Sequence, residues 1–281
     1  MSELTDLELR DVRGPSALGG GWRRLADLVL LMSVTEFKRT YFGTIFGYLW
    51  SIARPLMLFG VLLAVFTHVF RLGSLVPHYP VLLLFNIVLF GFFQEATTIA
   101  VTSVVTQEGI VRKTQFPRLV IPLAVVVTSL FNLGLNLVVV FVFLLAFGID
   151  PMWTWLLLPV LLGGFFVLTT AVSMIVSSLY PRFRDLAIIW SVLSLALFYA
   201  TPVLYPIEAA PETFRKIIML NPITPMLQLG REWFIDPGAP DLAQLAGGGA
   251  VLLVPLALYV LICVVAVWVF DREAPRIAEE L

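Results

Sequence analysis

Charged residues are scarce in this chain: they make up 13% of its 281 residues, against about 25% in a typical soluble domain. Hydrophobic residues make up 59%. A chain of this composition cannot hide its apolar surface from water, so we expect it to lie in a lipid bilayer. Basic and acidic residues nearly cancel, leaving a net charge of −1. This balance gives no reason to expect a nucleic-acid partner.

Cysteine is almost absent as well. Cys263 is the only one in the sequence, which excludes an intrachain disulfide and a cysteine-based metal site; we interpret it as a packing residue. None of Lys38, Lys113 and Lys216 follows a glycine, so the chain lacks the loop in which a Gly-Lys pair holds nucleotide phosphates. The sequence also offers no convincing catalytic carboxylates, Ser/His set or metal cluster. We therefore expect neither an enzyme nor a cofactor on this chain.

Long apolar runs are what the sequence has instead. A membrane-spanning helix needs ~20 mostly apolar residues, and runs rich in Leu, Val and Phe favour helices over the alternating strands of a barrel. The sequence therefore predicts an all-α integral membrane protein with six transmembrane helices. The six windows are 46–70, 81–105, 119–147, 153–179, 186–204 and 246–270.

Basic residues predict the orientation of these helices. The first 20 residues are polar and acidic, without the basic start and apolar core of a secretory signal, so we place the N-terminus in the cytoplasm. An even number of spans then returns the C-terminus to the same side. With this topology, 14 of the 18 Lys and Arg residues lie inside, as the positive-inside rule requires. The four that lie outside are Arg71, Arg215, Lys216 and Arg231.

Two segments do not resemble simple connections. Residues 21–41 have apolar positions at helical spacing with charges at both ends, which predicts an amphipathic helix on the inner membrane face. We divide the chain into this N-terminal region, 1–41, and a transmembrane domain, 42–281. Residues 205–244 are apolar in short pieces broken by prolines, which favours short re-entrant helices that form an outer hairpin. An ordinary loop on the outer surface is the alternative.

Two charged residues lie inside the predicted spans. Glu95 is flanked by polar residues of the second window, and ionisable groups within a membrane are functional candidates. A purely structural role, with Arg54, Asn132 or Asn136 as a partner, is the alternative that we favour. Arg54 lies toward the inner end of the first window. It either extends to the inner headgroups or meets an anionic substrate.

The sequence resembles one known family in three places. The run FKRTYFGTIFGYLWSIARPL (37–56) is similar to the N-terminal signature of ABC-2 type permeases that export polysaccharide. VTSVVTQEGIVRKTQFPRLVIPL (101–123) and NPITPMLQLGREWF (221–234) resemble that family's coupling region and outer hairpin. The resemblance implies a bacterial plasma (inner) membrane protein that forms a homodimer and pairs with two separate ATPase subunits. ATP and Mg then lie on the partner, and the substrate is a lipid-linked polysaccharide such as O-antigen, teichoic acid or galactan.

The resemblance also suggests which residues carry these roles. Aromatic residues of the first and fifth windows are candidates to line the substrate path, because the family places those helices beside the dimer axis; packing within the membrane is the alternative. These candidates are Trp50, Phe59, Phe66, Phe70, Trp190, Phe198, Tyr199 and Tyr205. Candidates for the pyrophosphate and lipid head are Lys38, Arg39 and Arg54. The residues predicted to contact the ATPase are Glu108, Ile110, Val111, Arg112, Lys113 and Phe116.

Two other functions remain open at this point. An ABC-2 exporter of a small hydrophobic drug or antibiotic has a similar six-span plan. It usually lacks the amphipathic helix with the FKRTYFGT signature. An intramembrane enzyme of glycolipid assembly requires the catalytic carboxylates that the sequence does not offer.

Overall fold

The protein folds into α-helices joined mostly by short connections. The computed structural model describes residues 21–41, 47, 49–71, 76–109 and 117–273, and no β-strand occurs within these ranges. The predicted all-α class is therefore confirmed for this part of the chain. The helices are α1 (Trp22–Tyr41), α2 (Leu49–His68), α3 (Tyr79–Thr106), α4 (Val120–Ala146), α5 (Leu158–Leu179), α6 (Leu186–Ala200), α7 (Glu212–Ile218), α8 (Ile223–Phe234), α9 (Leu242–Ala246) and α10 (Leu253–Glu273).

Five helical segments among the described residues are long and apolar enough to cross a bilayer. They are α2, α3, α4, α5 together with the 3-10 turn before it, and α10 together with the 3-10 turn before it. Each corresponds to a predicted window. The remaining window, 186–204, contains α6, which has 15 residues and is shorter than the ~20 that a full span needs. α6 ends at Ala200 because Thr201 adopts an extended backbone, as residues before proline do.

α3 lies at the centre of the bundle. About 72% of its membrane window is buried within the protein, against 6% for α2 and 11% for α10. It packs against α2, α4, α5 and α6, and its side chains Phe85 and Phe90 are fully buried. α2, α6 and α10 therefore form the periphery, where most of their apolar side chains face away from the protein.

α1 packs lengthwise along α4. The Ser33 hydroxyl donates to the carbonyl of Ala124 at 3.1 Å, and Phe37 packs edge-on against Phe131 with 5.5 Å between ring centroids. Because these contacts advance along both helices in the same order, the two helices run side by side. The helix predicted at 21–41 is thus present as α1, and one of its faces is docked on the bundle.

Short helices make up the segment between α6 and α10. Two of them, α7 and α8, lie within residues 205–244, where the sequence favoured short helices. α8 packs against both α3 and α5, while α9 packs against α7 and α8. The Tyr79 hydroxyl at the start of α3 donates to the carbonyl of Leu204 at 2.7 Å. The segment, which we term the outer segment after its predicted side, is therefore held against the ends of α3 and α5 at which those helices begin.

Gly230 marks the point where α8 meets α3. A Cβ at this position would lie 2.5 Å from Cε1 of Phe85 and 3.2 Å from Cδ2 of Leu161. We expect Gly230→Ala to lower the free energy of unfolding by about 1–3 kcal/mol, measured by thermal unfolding in detergent. Gly164→Ala is the control, because its Cβ would meet only the flexible end of Met226, at 2.6 Å. Equal stability of the two variants would contradict this packing.

Candidate functional site

A row of polar side chains on α4 connects this helix to three others. Its members are four residues apart and therefore share one face of the helix. Three hydrogen bonds join this row to α1, α2 and α3, and bonds of this kind between transmembrane helices typically contribute about 0.6–2 kcal/mol each. Together they hold α1, α2 and α3 in register with α4. The bonds run from Thr128 to the carbonyl of Ser33 at 3.4 Å, from Asn132 to Oε1 of Glu95 at 2.7 Å, and from Asn136 to the carbonyl of Ser51 at 3.3 Å.

Glu95 lies within this network. It is 11 residues before the end of α3, which places it about 16 Å along the helix from that end. Its carboxylate accepts from Asn132 and is attracted by the charge of Arg54. Tyr41 lies nearby, and burial together with the negative charge of Glu95 raises the pKa of its phenol. Glu95 thus makes the helix-joining contacts that the structural alternative requires.

The three basic residues considered for an anionic head lie on two consecutive helices. Lys38 and Arg39 are exposed near the end of α1, where Arg39 lies 3.7 Å from a carboxylate oxygen of Glu36. Arg54 is exposed on α2, three residues beyond Ser51. Arg54 makes no ion pair with any residue in the part of the chain that the structure describes. All three cations are accessible to an approaching anion.

A second polar row lies on α3. Gln94, Thr98, Thr102 and Thr106 are four residues apart and form what we term the open ridge. Thr98 and Thr106 are exposed, while Gln94 and Thr102 are half-buried. The Thr106 hydroxyl donates to the carbonyl of Thr102 at 3.0 Å. The open ridge is therefore a polar surface of α3 whose hydrogen bonds are met in part within the helix.

The aromatic path candidates divide into accessible and packed side chains. Trp190 donates from Nε1 to Oγ1 of Thr97 at 3.2 Å, and like Phe59 and Phe198 it is buried within the protomer. Phe198 packs edge-on against Phe90, with 5.4 Å between centroids. These contacts match the packing alternative for the three residues. The candidates that remain exposed are Trp50, Phe70 and Tyr199, and those that are half-buried are Phe66 and Tyr205.

A buried ion cluster lies in the outer segment. Arg231 on α8 is only 4% exposed and donates to both carboxylate oxygens of Glu208, at 2.8 and 3.0 Å. Its second terminal nitrogen lies 3.4 Å from Asp236. Sequence reasoning missed this cluster, since Glu208 and Arg231 are 23 residues apart and no local pattern joins them. Both bonds to Glu208 come from the same nitrogen, Nη1. Because charge-assisted hydrogen bonds are stronger than neutral ones, the cluster ties Glu208 and Asp236 to α8.

The predicted contact with an ATPase lies mostly outside the described residues. Ile110, Val111, Arg112, Lys113 and Phe116 belong to residues 110–116, which the structure does not describe. Glu108 is half-buried at the end of the preceding helical turn. The helices on either side are firmly packed, because Val104 and Ile121 are buried in the same apolar cluster.

Among the residues that the structure describes, no group of three or more His, Cys, Asp or Glu side chains is placed to hold a metal ion.

Comparison with known proteins identifies the family of the chain. Residues 27–235 match the family model of the ABC-2 type transporter. The chain is 33% identical to the O-antigen export system permease protein RfbA of Klebsiella pneumoniae, over 75% of this chain and 82% of that protein. It is 29% identical to the protein of the same name from Myxococcus xanthus, over 82% of this chain and 88% of that protein. The chain therefore belongs to the ABC-2 type transporter family of membrane proteins.

Proposed function

We propose that this chain is the permease subunit of an ABC exporter that moves a lipid-linked polysaccharide from the cytoplasmic side across the bacterial inner membrane. The observation that carries the proposal is its similarity, over most of its length, to permeases named for O-antigen export. In this arrangement α6 completes a sixth crossing together with the residues that follow it. Both termini then lie in the cytoplasm.

The energy for transport comes from separate subunits. The chain has no Gly-Lys phosphate loop, so we propose that two copies of a partner ATPase bind ATP and Mg and that two copies of this chain form the membrane part. The purified chain alone is expected to show no ATP turnover, and turnover is expected when the partner ATPase is added. ATP hydrolysis by the isolated chain, free of contaminants, would contradict the assignment of ATP hydrolysis to a separate subunit.

Export of a small hydrophobic drug is the second candidate function. A drug of this kind requires mainly an apolar route. The open ridge and the accessible Arg54 instead offer hydroxyl, amide and guanidinium groups within a membrane domain. These groups suit a hydroxyl-rich substrate with an anionic head, and this favours the polysaccharide.

The experiment that tests the proposal is deletion of the gene in its own host. Loss of the chain is expected to remove the polysaccharide from the cell surface and to leave its lipid-linked form inside, because assembly does not need the permease. Restoring the gene is expected to restore the surface polymer. If surface polysaccharide is unchanged while export of a drug fails, the second candidate is correct.

Basic residues at the end of α1 and near the start of α2 are proposed to attract the pyrophosphate of the substrate by charge-assisted hydrogen bonds. Neutralising Lys38, Arg39 and Arg54 together to Gln is expected to reduce export at least about tenfold, since each such bond contributes about 1.5–3 kcal/mol. Surface polysaccharide is measured at equal protein abundance. The control neutralises Arg215 and Lys216 of the outer segment. Normal export by the triple variant would assign these residues to topology alone.

A further inference from the structure

Asn86 on α3 and Arg231 on α8 line one small cavity where the outer segment meets α3. Its volume is about 10 Å³, which corresponds to a single water molecule, since one such molecule needs ~10–15 Å³. The wall of the cavity is built from three parts of the chain. Its residues include Leu82 and Asn86 of α3, Pro202 and Tyr205 of the chain after α6, and Leu227 and Arg231 of α8.

The side-chain amide of Asn86 has a fixed orientation. Its nitrogen Nδ2 donates to the carbonyls of Pro202 and Val203, at 3.2 and 3.4 Å. Because a carbonyl only accepts, the nitrogen must face these two oxygens, and the amide oxygen Oδ1 points elsewhere. Asn86 is 3% exposed, and Oδ1 accepts no hydrogen bond from any residue that the structure describes. A buried acceptor without a protein partner thus belongs to a residue that lines the cavity.

Arg231 supplies the complementary group. Its terminal nitrogens donate to Glu208 and Asp236, but its third N–H group, on Nε, finds no acceptor among the described residues. The side chain is 4% exposed, so bulk water does not reach this group. Buried donors and acceptors in native proteins are paired with protein or with ordered water. One donor and one acceptor that need such a partner therefore lie on the wall of the same water-sized space.

The chemistry of these two groups selects the molecule that fits between them. A cation is repelled by the guanidinium of Arg231, and an anion is repelled by the partial negative charge of the Asn86 oxygen. A neutral molecule that both donates and accepts hydrogen bonds satisfies both groups. Gln228, whose side chain lies in the same wall, provides a further polar contact. At this volume, water is the molecule that meets these requirements.

We propose that the cavity binds one structural water, which donates a hydrogen bond to Oδ1 of Asn86 and accepts one from Nε of Arg231. The water joins α3 to α8, while the nitrogen of Asn86 holds the chain after α6. A contact through water is nearly as favourable as a direct hydrogen bond. The three parts of the chain therefore form one hydrogen-bonded unit around Asn86, whatever substrate the protein carries.

Hydroxyl-radical footprinting with X-rays tests for the water directly, because radicals formed from a bound water oxidise the side chains beside it. In the purified full-length chain, Leu227 is compared with Leu168 of α5. Their side chains are 2% and 1% exposed, but Leu227 lines the cavity and Leu168 does not. We expect oxidation of Leu227 to be at least tenfold faster than that of Leu168. Equal rates for the two leucines would overturn the site.

Substitution of Asn86 distinguishes a bound water from bulk water that enters when the outer segment opens. Asn86→Leu keeps a similar volume and removes the acceptor for the water, so we expect oxidation of Leu227 to fall several-fold. The same substitution also removes the hydrogen bonds that hold the chain after α6. If bulk water is the source, oxidation of Leu227 rises instead, and this result would overturn the proposal. Asn132→Leu, which removes a buried amide on α4, is the matched control and is expected to leave oxidation of Leu227 unchanged.

A high-resolution structure of the unmodified protein keeps the test independent of any variant. We expect one density peak at about 2.7–3.2 Å from both Oδ1 of Asn86 and Nε of Arg231. A direct hydrogen bond between these two atoms, with no peak, would show that the cavity closes without water. That result would overturn the site even if Asn86→Leu failed to fold.

Discussion

Arg231→Ala is expected to lower the free energy of unfolding by about 3–5 kcal/mol, the largest effect on stability that we predict. The substitution leaves Glu208 and Asp236 close together without their cation, and their side chains are only 29% and 18% exposed. Removing one partner of a buried ion pair is costly because the remaining charge has lost both water and its counter-ion. Thermal unfolding in detergent measures the change.

Two further variants separate this explanation from a general effect of mutation in the outer segment. Lys216→Ala breaks an exposed pair with Glu212, whose side chains are 59% and 81% exposed, and is expected to have no measurable effect. Adding Glu208→Gln to Arg231→Ala removes one uncompensated carboxylate and is expected to recover part of the lost stability. A stability loss in Lys216→Ala equal to that in Arg231→Ala would show that burial of the pair is not the cause.

Ile110→Asp combined with Val111→Asp is expected to reduce export at least about tenfold, because apolar anchors at the centre of an interface supply most of its binding energy. We propose that these residues contact the partner ATPase. The connection that contains them joins α3 to α4, which pack closely against each other. Movement of the partner would thus reach the centre of the bundle directly. Export is measured together with ATP hydrolysis, which is expected to continue without transport or to be lost with the partner.

The matched control substitutes Thr114→Asp and Gln115→Asp, which add the same charge to the same connection without removing apolar anchors. Export by this control is expected to stay within about twofold, as is usual for rim positions. Cysteines placed at 110 and 111 are expected to crosslink to the ATPase. If the Ile110/Val111 variant exports normally with the ATPase bound, the coupling surface lies elsewhere, with α1 as the next surface to test.

Helix positions could be predicted from the sequence to within a few residues. The window 119–147 became Val120–Ala146, and 153–179 became the 3-10 turn and helix that end at Leu179. This agreement has a local cause: each transmembrane helix satisfies its own backbone hydrogen bonds, so a long apolar run is sufficient to specify it. The same rule failed to delimit α6, where Pro202 ends the helix within an apolar run.

The contacts between helices could not be predicted in the same way. Glu95 was recognised as a candidate, but its partner was open among Arg54, Asn132 and Asn136 until the structure placed Asn132 at 2.7 Å. Phe198 and Tyr199 are adjacent aromatic residues, and by sequence they are equally good candidates to line the substrate path. In the structure, the side chain of Phe198 is 8% exposed and that of Tyr199 is 59% exposed. Because lipid tails are as apolar as a protein core, hydropathy does not mark which face of a membrane helix meets protein.

The sequence by itself determined that this protein is a helical membrane protein, where its long helices lie to within a few residues, and its resemblance to a permease family. These properties depend on runs of neighbouring residues and on short motifs. Only the tertiary structure decided that α1 docks along α4, that Arg231 is paired with Glu208, and that Phe198 is packed while the adjacent Tyr199 is exposed. Those properties depend on residues from separate helices, whose approach is set by packing throughout the bundle.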